Sequence, residues 1–176
     1  MKKNNWLLPV VITGLAINTF NNKLFSISKD KLRKKELERK IYNWKFGSIS
    51  YKSRGEGDPI LLIHDTFSGA SSIEFDRIIH QLSKKYKVYS LDLLGYGFSE
   101  RANITYTAYL YVQLINDFIN EIIDEDHITV ITSGNSNLFP LLASLQDSEL
   151  ITKCIMINPS DLRVAALNPT GRDNTI

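Results

Sequence analysis

A chain of 176 residues, 43% hydrophobic and 23% charged, has the make-up of one globular domain with a real core, which excludes a wholly disordered or fibrous protein. The net charge of +2 conceals an asymmetry: residues 1–40 carry a net +7 and residues 41–176 a net −5. The mildly acidic remainder argues against a nucleic-acid surface there, and a lone cysteine, Cys154, excludes an intrachain disulfide.

The chain opens with Met1-Lys2-Lys3 and an apolar run from Trp6 to Phe20, interrupted by Pro9, Gly14 and Asn18. As a helix that run reaches about 22 Å, short of the ~30 Å hydrocarbon core of a bilayer. Residues 1–25 are therefore expected to form a marginal membrane span or an interfacial anchor. A cleaved signal peptide is the alternative, since Gly14-Leu15-Ala16 supplies small residues at a usable spacing. Residues 26–42 read as a basic helical linker, rich in Lys and Arg from Lys29 to Lys40, whose face suits anionic headgroups. The more basic downstream flank places the globular part on the cytoplasmic side of a membrane, or outside the cell in the signal-peptide reading.

From residue 43 the pattern alternates. Trp44 to Phe46 and Ile49 to Tyr51 suggest short strands turned at Gly47, and Gly55 to Pro59 is a turn. Ile60 to Ile63 is a continuous apolar run, the mark of a strand covered on both faces. A helix is expected over 71–84, a strand over 88–91, a long helix over 106–123, a strand over 128–132, a helix near 138–146 and a strand over 153–157. Strands alternating with helices predict an α/β domain, a mostly parallel sheet with helices on both faces. Ligands on such sheets sit beyond the carboxyl ends of the strands. Those ends carry His64-Asp65, the segment from Asp92 to Ser99, Ser136, and Asn158 to Asp161. Cys154 falls on an apolar strand, where packing rather than reactivity is expected.

Taken in order, these ends resemble the α/β-hydrolase fold. The apolar strand ending at His64 is similar to that family's strand and His-Gly turn. Asp92-Leu93-Leu94-Gly95-Tyr96-Gly97-Phe98-Ser99 matches its D-x-x-G-x-G-x-S loop, and Ser133-Gly134-Asn135-Ser136 resembles the start of the G-x-S-x-G elbow. Asn158-Pro159 is similar to the turn after the family's sixth strand. The resemblance covers roughly residues 43–163. It implies Ser136 as nucleophile, with the backbone amides of Thr66 and Asn137 as oxyanion donors and Asp161 as a candidate acid. It implies His64, Asp92 and the two loop glycines as architecture. An ester or acyl compound of unknown identity would be the substrate, and no metal, phosphate-loop or cofactor motif accompanies the site.

The departures point elsewhere. Asp65 stands where the family has glycine, bringing a carboxylate beside the oxyanion site, where it would oppose developing charge. Leu138 replaces the elbow's last glycine, and none of His64, His80 and His127 follows Ser136. The expectation is a hydrolase fold truncated after about its sixth strand, within a domain of residues 43–176, weakly active or inactive as this chain. The alternative is a non-catalytic, membrane-tethered binding or scaffold protein that keeps the fold. A fold stopping there would leave an open sheet edge, inviting a partner chain or aggregation. A dinucleotide site at Gly95-Tyr96-Gly97 fails, because the third glycine of G-x-G-x-x-G is Glu100.

Overall fold

A computed structural model describes residues 17–24, 26 and 39–159. Residues 1–39 and 40–176 form separate units. In the first, residues 17–24 are helical. Among the described residues no helix is long and apolar enough to cross a membrane. Most of the segments read as anchor and linker lies outside the described residues, as does Asp161.

The second unit is a six-stranded sheet of order β1-β2-β4-β3-β5-β6. Strands β1 (Lys40–Trp44) and β2 (Gly47–Arg54) form an antiparallel hairpin, and β2 pairs antiparallel with β4 (Lys87–Leu91). The others are parallel: β3 (Pro59–Ile63) lies between β4 and β5 (Ile128–Ser133), and β6 (Ile151–Ile157) pairs with β5. The hairpin begins at Lys40, inside the stretch read as linker, and Phe46 lies in its turn rather than in a strand. The inward residues explain the shift. Tyr42 and Trp44 alternate into the core, whereas Phe46 is exposed, so the strand's apolar phase starts earlier than Trp44.

The unbroken apolar run of β3 follows from its central place. Leu61 and Ile63 join the larger core, and Ile60 and Leu62 join a smaller one on the other face. Helices α2 (Ala108–Phe118) and α3 (Leu138–Gln146) contribute to the larger core through residues such as Leu114, Phe118 and Ala143. Helix α1 (Asp76–Leu82) caps the smaller core with Ile79, helped by Phe75 of the 3₁₀ turn Ser72–Phe75. The expected helix over 71–84 is thus a 3₁₀ turn followed by a short helix. The one over 106–123 is α2 continued by a π turn, Ile119–Ile123. Thr107 caps α2 by accepting the Leu110 amide at 3.2 Å, and Asp124, left-handed at φ 55°, ends the π turn. The neighbouring carboxyl ends of β4, β3 and β5 then open side by side, and the candidate residues stand there.

Candidate functional site at the strand ends

Three loops meet at this edge. After β3, His64 is wholly buried between two of them. Its Nε2 accepts the Leu93 amide at 3.0 Å, which leaves Nδ1 protonated to donate to the Asp65 carbonyl at 2.6 Å. Burial holds its pKa below the ordinary histidine value, against the raising effect of the Asp65 carbonyl. With both nitrogens engaged, His64 is a tie between the β3 and β4 loops. After β4, buried Asp92 accepts the Ser72 amide at 2.6 Å and the Phe98 amide at 2.9 Å. A side chain at Gly97 would overlap the Asp92 carboxylate, which explains why that loop carries glycine there. Tyr96 closes the arrangement by donating to the Thr66 carbonyl at 2.9 Å, its ring edge-on to His64.

After β5 the chain bends at Gly134, whose φ of 59° lies in the left-handed region that side chains resist. The strand ends at Ser133 and helical turns begin immediately after the bend. The bend is therefore two residues upstream of Ser136. Centred on the residue that turns the corner, the five-residue elbow frame reads Thr132-Ser133-Gly134-Asn135-Ser136. A nucleophile elbow presents its reactive side chain from that strained residue, and glycine presents none.

Ser136 lies inside instead. It is wholly buried, and its hydroxyl donates to the Ser133 carbonyl at 2.7 Å, with the Ile63 carbonyl at 3.3 Å. Asn137 is equally committed: its Oδ1 accepts from Thr132 Oγ1 at 2.5 Å, and its Nδ2 donates to the Gly134 carbonyl at 2.5 Å. A longer contact of 3.4 Å joins Nδ2 to the Ile157 carbonyl, so this one side chain ties the bend to β6.

The amide directly after the bend belongs to Asn135, and it faces the Thr66 amide across a shared acceptor. Asp65 Oδ1 accepts Thr66 N–H at 2.6 Å and Asn135 N–H at 2.8 Å. An ideal Cβ placed on Gly134 would overlap both carboxylate oxygens of Asp65. One side chain thus engages both amides and fills the space above the bend residue. The pair Asp65–Gly134 was half legible beforehand: the departure at Asp65 stood out, whereas Gly134-Asn135-Ser136 set the frame two residues after the bend. Ending β5 one residue later, at Ser133, is the signal that moves the frame.

Cys154 is half-buried, and burial pushes its thiol pKa upward, which disfavours a reactive thiolate. Among the described residues no group of three or more His, Cys, Asp or Glu side chains could hold a metal ion. A cleft of about 640 Å³ opens beside the corner, between residues 68–73 and the loop from Gly95 to Ala102, with Tyr106 and Tyr111.

No family model matches the chain. A 2-hydroxy-6-oxo-6-(2'-aminophenyl)hexa-2,4-dienoic acid hydrolase of Metapseudomonas resinovorans is 27% identical over 115 residues, 65% of this chain and 40% of that enzyme. A serine hydrolase involved in carbazole degradation superposes with a TM-score of 0.66 at 26% identity, covering 72% of this chain and 49% of its own. An alpha/beta hydrolase fold protein from Burkholderia ambifaria gives a TM-score of 0.63 at 25% identity, covering 68% and 43%. The chain therefore spans less than half the length of each of these relatives.

Proposed function

This chain has the α/β-hydrolase fold over its sheet domain, and from that premise we propose that it is a ligand-binding member that does not perform serine acyl transfer. One observation carries the reading: the Asp65 carboxylate rests on the Thr66 and Asn135 amides, over a bend residue without a side chain. Acyl transfer needs an activated nucleophile and two vacant donors for the oxyanion. A resident carboxylate answers those donors, and its charge repels a second negative oxygen. The inward hydroxyl of Ser136 supports a structural role, since its proton is already given to buried carbonyls. The neighbouring cleft supplies the binding function, and the net charge of +7 over residues 1–40 supports attachment to an anionic membrane surface.

The test uses the purified full chain with a serine-reactive fluorophosphonate and with activated short-chain esters. The expected result is no covalent labelling and no turnover above that of S136A. Losing an elbow nucleophile typically lowers such rates by ~10⁴-fold or more. Labelling at Ser136, or ester turnover that S136A abolishes, overturns the reading.

A further inference from the structure

The cleft beside the blocked corner is built from a distinctive set of side chains. Its volume of about 640 Å³ sits within the ~300–1,000 Å³ of small-molecule sites. Tyr96, Phe98, Tyr106 and Tyr111 line it, and among the described residues Arg101 is the only charged one on its wall. Each tyrosine hydroxyl already donates to a backbone carbonyl: Tyr96 to Thr66 at 2.9 Å, Tyr106 to Ala102 at 2.8 Å, Tyr111 to Leu94 at 3.2 Å. Those bonds fix the rings; Tyr111 is buried against Phe139 and Tyr106, so Tyr106 is the exposed outer ring of the stack that is left to meet a ligand. Tyr106 and Tyr111 are stacked, with centroids 6.4 Å apart and planes 23° apart. A planar ring extends such a stack at little conformational cost.

The charge has a direction. Arg101 has no ion-pair or hydrogen-bond partner among the described residues. The adjacent Glu100 turns away, its Oε2 accepting the Ser48 amide at 2.9 Å. An anionic group therefore belongs at Arg101, where a guanidinium fork matches a carboxylate.

Resting on the binding role proposed above, we propose that this cleft takes a small aryl carboxylate, its ring on the tyrosine stack and its carboxylate on Arg101. The test titrates the full chain, followed by calorimetry or amide NMR shifts, with 3-phenylpropionate, its neutral amide 3-phenylpropanamide, and hexanoate. The acid is expected to bind saturably and about three- to tenfold more tightly than the amide, the range set by a partly solvated guanidinium–carboxylate contact. R101Q removes that preference, and R101K retains part of it. Hexanoate binds more weakly than 3-phenylpropionate. Equal affinity for acid and amide, an unaltered preference in R101Q, hexanoate binding as tightly as the aryl acid, or no saturable binding each overturns the proposal. Serine labelling overturns the parent reading separately, whatever these affinities are.

Discussion

Asp65 and Gly134 are comprehensible only as a pair. A carboxylate over the bend demands a residue without Cβ beneath it, and the left-handed φ of 59° makes the same demand independently. G134A should therefore destabilise the protein twice. The strained backbone costs roughly 1–3 kcal/mol, and the methyl displaces a carboxylate from two amides. In a D65G background only the backbone cost remains. A double-mutant cycle read from urea unfolding should show a coupling of about 1–3 kcal/mol between the two positions. Additive effects would mean that the carboxylate does not occupy the space above the bend.

At the scale of elements, the three loops are held by buried polar ties, and these were legible to different degrees. The order of strands and helices followed from apolar periodicity, because β3 is covered on both faces and α2 on one. The Asp92 to Ser99 loop was legible because its glycine has a steric reason, the carboxylate packed against Gly97. The hairpin's start and the break in the first helix were not, since a core aromatic phase and a 3₁₀ turn leave no local signature. The exact bend after β5 escaped because a serine two residues on mimicked the motif. His64 joins two of these loops in neutral form, its Nε2 needed as an acceptor for Leu93. Its folded pKa lies below the ordinary 6.5, so the unfolded chain takes up the proton first as pH falls. Stability therefore rises with pH across that window and drops as pH falls from about 7 toward 5, by at most ~1.4 kcal/mol per pH unit from this group. Urea midpoints of wild type and H64Q across that range should converge in acid, the variant showing the shallower slope. Parallel slopes would remove His64 as the source.

At the scale of the whole molecule the sheet has two unlike edges. The β1 edge belongs to a hairpin clamped to the helical layer, with Trp44 Nε1 donating to Asp117 at 2.7 Å and Tyr42 to Glu121 at 2.9 Å. The β6 edge has no such cover among the described residues. Among the described residues its only strand partner is β5, and Ile155 and Ile157 are 39% and 42% exposed. Backbone groups along an apolar edge template pairing with another strand, and proteins that tolerate such edges blunt them with charge. We propose that β6, as it stands among the described residues, pairs with a second copy of this chain. In sedimentation velocity the full chain should self-associate with rising concentration, and I155K should shift it toward monomer. The lysine stem can lie along the sheet face while its charge reaches water, so the substitution should cost little stability. The apolar N-terminal segment is untouched in that variant, which separates the two sources of association. Equal self-association of wild type and I155K, with unfolding midpoints unchanged, would show that β6 is not the surface that recruits a partner.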